Sequence, residues 1–439
     1  MLEILLSFIY ILIFLIIIGK MSFFKMEKVS AKTFQLLFLI KIGAAVLLYM
    51  IYTRFYSDRE HADIFKYYDD SAIIYNAAFS HPLDFIRMFT GLTANSRDLW
   101  HYYDAMHNWF NSEMIFNDSR TMIRLNTLLR FFSFGTYFPH AIIMSFLAMM
   151  GLTGIFKVFT AVLPGREFFM SILVYLLPST LLWSSGMIKE AFLIFSIGML
   201  IYCIHIYLAD RKLNAIRIAG TFFFGFSLLC IKSYVLFAII PGIVTWIICE
   251  KWRVKKVATA LIVHGSYLLI LFNVAFIFTH HSVPILLSTK QNEFYLVAIK
   301  EQAKSMIHLN QMDGTISSLI KNIPGAFAIT LFRPYLVESK NPLIVIAAFE
   351  NAFILLFLII CILGLRKNWN YKMPSVFYLC IYFSIIIFVL IGLVTPILGA
   401  IVRYKVPALT FLLFAFFCLT KSKWVNYRPE KLNGILFFQ

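Results

Sequence analysis

Long apolar runs decide what this chain can fold into. A helix needs about 20 mostly apolar residues to cross the hydrocarbon core of a bilayer. Runs of that kind lie near 3–19, 34–53, 138–156, 168–183, 190–208, 217–231, 234–249, 257–279, 342–364, 375–394 and 405–420. The sequence therefore predicts an all-α, polytopic integral membrane protein of about eleven spans, folded as one domain over 1–439. Composition agrees, with 61% hydrophobic and 14% charged residues against roughly 45–50% and 25% in soluble domains. A soluble enzyme, a disordered chain, a disulfide scaffold and a nucleic-acid binder are excluded. The six cysteines each sit inside an apolar run without a CxxC pair, so they read as small packing residues. Met1-Leu2-Glu3 lacks the basic segment of a signal peptide, which predicts a retained first helix.

Basic residues orient the spans. The stretches 20–32, 157–167, 210–217, 250–256, 366–372 and 421–431 hold 20 Lys and Arg against five acids, and all six fall on one side of an eleven-span arrangement. Cytoplasmic loops carry that excess, so the N-terminus is expected outside and the C-terminus in the cytoplasm, in the inner (plasma) membrane. The net charge of +17 then reports topology and anionic lipid, with no nucleic-acid partner. Segments 54–137 and 280–340 become the two external loops. The first holds ten acids between Asp58 and Asp118 but only Arg59, Lys66, Arg87 and Arg97 as bases. Its aromatic residues, among them Trp100, Tyr103 and Trp109, suggest amphipathic helices lying on the membrane.

Some of these polar residues suit chemistry. If the segment after His61 is helical, Asp63, Tyr67 and Asp70 share one face, and a carboxylate just above the bilayer suits a general base. An acidic, solvated helix face is the competing reading. External cations are few: Lys189, Lys232, Arg403 and Lys405 at turns and span ends, Arg333 closing the second loop, and Arg120, Arg124 and Arg130 closing the first. Cations gathered at an interface are costly unless they meet anions, although an interfacial Arg often serves only as an anchor. The turn from Trp183 to Glu190, with Ser185 and Lys189, suits a phosphate at a helix start. Lys41 and Glu350-Asn351 lie within predicted spans. His280 and His281 are adjacent and make a poor chelate, so no metal ligands are assigned; a divalent cation would have to borrow acids from the first loop. Walker A, HExxH, GxSxG and GxGxxG patterns are absent, which argues against ATPase, metalloprotease and hydrolase chemistry.

In the order of its parts, the chain resembles the GT-C superfamily of membrane glycosyltransferases. An acidic motif (Asp63, Tyr67, Ser71) opens the first large loop. A Pro-then-Ser/Gly-Lys-Glu turn follows (Pro178, Ser184 to Glu190), and an Arg-Tyr-x-x-Pro sequence (Arg403, Tyr404, Pro407) starts a late span. The chain is also similar to uncharacterised polytopic proteins of bacterial polysaccharide loci. It departs from the family in carrying an extra span before the loop and in lacking an Asp-Glu or Asp-x-Asp pair. Asp63, Asp69 and Asp70 therefore remain rivals for the base.

The resemblance implies an inverting transfer from a polyprenyl-phosphate-linked sugar to a glycan, lipid or protein acceptor among membrane lipids. Lys189, Arg124, Arg333, Arg403 and Lys405 would stabilise the leaving phosphate. Tyr67, Ser185, Glu190, Lys232 and Tyr404 would complete the substrate contacts. Two alternatives stand beside it: an O-antigen-type polymerase or ligase, and a non-catalytic lipid or polysaccharide transporter with broken helices.

Overall fold

The computed structural model describes residues 1–54, 59, 62–93, 95–107, 109, 117–212, 214–338, 342–364 and 373–420, without the side chains of Asp63 and Pro342. Among these residues the regular structure is helical throughout. Helices α1 (Leu2–Lys20) and α2 (Ala31–Arg54) are followed by α3 (Asp63–Ser80), α4 (Pro82–Thr90), α5 (Trp100–Tyr103) and α6 (Asp118–Ser133), which form a cap. Next come α7 (Tyr137–Val162), α8 (Glu167–Ser171), α9 (Pro178–Trp183) and α10 (Lys189–Asp210). The remainder comprises α11 (Ala215–Trp252), α12 (Lys256–Thr279), α13 (Val283–Lys300), α14 (Ile316–Phe332), α15 (Pro342–Leu363), α16 (Ser375–Val394) and α17 (Leu398–Leu419). Nine helices among the described residues are long and apolar enough to cross a membrane: α1, α2, α7, α10, α11, α12, α15, α16 and α17.

The difference from eleven expected spans has two physical sources. The runs 217–231 and 234–249 are two helical limbs, taken together as the 38-residue α11, that meet where the backbone leaves helical geometry at Lys232 (φ −148°, ψ 83°). Both limbs lie along α10. Arg217 pairs with Asp210 at 2.7 Å and Trp246 stacks on His205 with ring centroids 6.3 Å apart, whereas Lys232 reaches Glu190 at the opposite end of α10. The chain therefore folds back at Lys232. Unfolded into one rod, α11 would be about 57 Å long, nearly twice the hydrocarbon core.

The run 168–183 is broken rather than continuous. A π-helical stretch at Ile172–Leu176 leads into extended Leu177 (φ −61°, ψ 126°), and Pro178 opens α9. Proline there has no N–H to give to a preceding turn. The two ends of α9 are held by opposite charges from distant helices. Ser179 donates its N–H and its hydroxyl to the Glu350 carboxylate, each at 2.5 Å. Beyond the other end, Lys41 donates to Ser184 Oγ and, at 3.2 Å, to Ser185 Oγ. An anion at a helix N-terminus and a cation near its C-terminus both complement the peptide dipoles. Lys41 and Glu350 thus have structural partners.

Within segment 280–340, α14 packs antiparallel along α16. Thr330 donates to the Phe388 carbonyl at 2.7 Å, and Gly392 lets the Ala326 carbonyl approach where any Cβ would collide with it. The crossing of α7 and α10 rests on the same device. The backbones of Gly151 and Gly198 touch, and neither position has room for a side chain.

Within the cap, α3 and α6 are joined by Arg130. It donates to Ser71 Oγ at 2.7 Å and to the Tyr68 carbonyl at 2.5 Å, with its guanidinium 3.9 Å from the Tyr68 ring centroid. Glu3 ties α1 to α7 by accepting the N–H groups of Tyr137 and Phe138, both at 3.0 Å.

Candidate active site at the cap end of the helices

Glu190, the second residue of α10, is fully buried. It gathers two cations from remote parts of the chain. The Lys232 ammonium lies 3.0 Å from Oε1, brought there by the fold-back of α11. Arg403, in the first turns of α17, places Nε 2.8 Å from Oε2, as an ion-pair contact rather than an aligned hydrogen bond. Aromatic faces back both cations: Lys232 lies 4.4 Å from the Tyr404 centroid and Arg403 lies 5.7 Å from that of Trp183. Lys189, next to Glu190, turns toward the cap. Its ammonium meets Asp118 at 2.6 Å and lies 4.8 Å from the ring centroid of Tyr67 on α3.

Among the described residues, three cations, Lys189, Lys232 and Arg403, are paired with two carboxylates, Glu190 and Asp118. Taking bare charges out of water costs several kcal/mol per ion, so the carboxylates keep this cluster tolerable when no ligand is present.

The three aspartates fare differently. Asp70, one turn beyond Tyr67, is buried and its Oδ1 accepts the His107 N–H at 2.9 Å. Asp69 faces elsewhere, with its two oxygens engaged by Arg59 at 2.7 and 2.9 Å. Asp63 opens α3, but its side chain lies outside the described residues.

The structure brings together Tyr67, Lys189, Glu190, Lys232, Arg403 and Tyr404. Ser185, Lys405, Arg333 and Arg124, also expected at the site, are engaged by other partners. Ser185 is used by Lys41 and by the Leu181 carbonyl, and the Gly186 N–H is given to Ser145 Oγ at 3.1 Å; the turn's own donors serve the fold. Lys405 is buried and donates to Asn351 Oδ1 at 2.7 Å and the Thr330 carbonyl at 3.4 Å. Arg333 pairs with Glu338, and its hydrogen bonds hold that carboxyl below the usual carboxylate range. Arg124 bonds the Met88 carbonyl at 2.9 Å and covers Trp109.

Lys189, Lys232, Arg403 and Arg333 all pair with protein carboxylates. Asp118 is the partner that sequence reasoning misses. Its one signal is its place after Asn117, whose side chain caps α6 by accepting the N–H groups of Ser119 and Arg120. Among the described residues no three His, Cys, Asp or Glu side chains come close enough together to hold a metal ion.

Compared with known protein families, with curated proteins and with solved structures, the chain finds no match.

Proposed function

We propose that this chain is a membrane glycosyltransferase of GT-C type, moving a sugar from a polyprenyl-phosphate donor to a glycan, lipid or protein acceptor at the outer face of the membrane. The observation that carries the reading is the cluster of Lys189, Lys232 and Arg403 that meets Tyr67, with Asp70 one turn further along α3. A lipid phosphate fits the three cations, and a buried carboxylate one helical turn from Tyr67 fits a base. Counting the two limbs of α11 separately, and α8–α9 as one interrupted pass, restores eleven passes and the alternation of basic loops. The cap is then external.

In the proposed reaction the acceptor hydroxyl gives its proton to an aspartate, and its oxygen bonds to the anomeric carbon. The bond from that carbon to the phosphate oxygen breaks, its electron pair leaves with the phosphate, and configuration inverts. Lys189, Lys232 and Arg403 stabilise the charge that develops on the departing oxygen. Asp70, buried one turn from Tyr67, is the base in this reading, and Asp63 remains its rival.

Proteoliposomes given polyprenyl-phosphate-linked sugars and acceptor test this. Asp70→Asn keeps the shape and removes the basicity, so transfer should fall about 10²–10⁴-fold while bound donor is unchanged. Arg403→Ala should instead weaken polyprenyl-phosphate binding. Full transfer by Asp70→Asn and by Asp63→Asn would end the acid–base reading.

One observation favours a second reading, a transporter of lipid-linked glycans: the α8–α9 break, with Lys41 and Glu350 at the ends of α9, is the kind of interrupted helix carriers use. Net movement of an intact lipid-linked glycan across the vesicle membrane, without new glycosidic bonds, would select it.

A further inference from the structure

The cap contains two arginines that the proposed reaction does not use. Arg120 and Arg124 stand one turn apart on α6, so their side chains share a face. Both guanidinium groups lie against the same indole, 4.9 and 5.3 Å from the ring centroid of Trp109. Trp109 is itself fully buried and stacked on Tyr103 at 4.3 Å, which makes the platform rigid.

Each arginine spends its inner nitrogen on the fold. Arg120 Nε donates to the Trp109 carbonyl at 2.9 Å and Arg124 Nε to the Met88 carbonyl at 2.9 Å. Arg120 Nη1 also donates to Asn95 Oδ1 at 2.8 Å. The remaining terminal nitrogens, both of Arg124 and Nη2 of Arg120, have no protein acceptor among the described residues, and no carboxylate there pairs with either side chain. They keep access to solvent, since none is among the enclosed unpaired atoms. Burial lowers the pKa of both groups, and the neighbouring Arg120 charge lowers that of Arg124 further.

This differs from the cluster around Glu190, where carboxylates of the chain neutralise most of the charge. Two like charges held against one ring, with terminal donors that keep some access to solvent, repel each other until an oxyanion joins them. The guanidinium fork matches a carboxylate in two parallel hydrogen bonds. The location adds a direction. Helix α6 packs against α11, the helix whose fold-back delivers Lys232 to Glu190. The pair therefore sits on α6, the cap helix that meets α11 and whose first residue, Asp118, pairs with Lys189.

We propose that Arg120 and Arg124 form a binding site for the carboxylate of an acidic sugar, and that the acceptor is an acidic glycan entering under the cap. The word acceptor rests on the transferase reading; the carboxylate site does not.

Isothermal titration of the purified full chain with trigalacturonate tests the site, with maltotriose as the uncharged control. Trigalacturonate should bind saturably and maltotriose should not. Arg124→Gln should weaken binding about tenfold or more, the range for a charged hydrogen bond. Arg124→Lys guards against misfolding: with an unchanged thermal midpoint, it should still bind markedly less well because the fork is gone. Equal trigalacturonate affinity in wild type and Arg124→Lys would overturn the proposal. So would displacement of all binding by phosphatidylglycerol nanodiscs, which would make the pair a lipid-headgroup contact. No donor lipid is present in this titration, so its failure leaves the donor reading standing, and that reading fails separately through Arg403→Ala.

Discussion

At the residue scale, Glu190 is the side chain on which the site depends. Its carboxylate is fully buried and is the anion shared by Lys232 and Arg403. Glu190→Gln preserves shape but leaves two cations facing a neutral amide in a dry environment. Removing one partner of a buried pair costs about 3–5 kcal/mol, so the thermal midpoint of the purified protein should fall sharply. Adding Lys232→Met should recover part of the loss, because one of the two orphaned charges is gone; neighbouring substitutions of this kind are not additive. An unchanged midpoint in Glu190→Gln would mean the carboxylate is not holding the cations in solution. The sequence marks Lys189, Glu190, Lys232 and Arg403 because charges are rare in so apolar a chain. It does not reveal that Glu190 joins the other two, since the pairing links positions 42 apart for Lys232 and lies beyond any local pattern.

At the scale of the helix, the same limit explains which elements were legible. Hydropathy reports the length of an apolar run and says nothing of the path of its backbone, so 217–231 and 234–249 are visible as two runs while the fold-back that joins them at Lys232 is not. It also reads 168–183 as continuous, because the Leu177 break is itself apolar. Segment 316–332 escapes notice because, at 17 residues, it falls short of a full crossing. The α7–α10 contact could be read only in part: Gly151, Gly154 and Gly198 are visible, but their meeting is not. There the structure makes a sharp demand. A side chain at Gly198 would run into the Gly151 backbone, and two packed helices cannot separate locally without disturbing the Lys189-Glu190 end of α10. Gly198→Leu should therefore cost more than the about 1–3 kcal/mol typical of an overpacked site. Gly265→Leu on α12, where a Cβ meets nothing within 4 Å, should be tolerated. Thermal unfolding of the two variants in the same detergent makes the comparison, and equal midpoints would contradict the close crossing.

At the scale of the whole molecule, one question of direction governs the rest: which side of the membrane carries the cap. The charge pattern and the fold bear on it independently. Twenty Lys and Arg fall in six alternate stretches of the sequence, and cytoplasmic loops are the ones that retain such an excess. The folded chain keeps the corresponding helix ends together where they are described: the Asp210–Arg217 pair joins the end of α10 to the start of α11, and Lys256 at the start of α12 donates to the Met373 carbonyl just before α16 at 2.8 Å. Lys232, Glu190, Arg403 and the cap lie at the other ends of the same helices. The cap should therefore face outward, where a lipid-linked donor and an acidic glycan would be presented. In a background lacking the native cysteines, Asn95→Cys in the cap should react with a membrane-impermeant maleimide added to intact cells, and Lys255→Cys, between α11 and α12, should react only after the membrane is opened. Both positions are exposed on the folded chain, so a difference in labelling reports sidedness rather than burial. The reverse pattern would turn the molecule over and move the cap to the cytoplasm. Transfer at the outer face would then be untenable, while the Glu190 cluster and its effect on stability would remain as described.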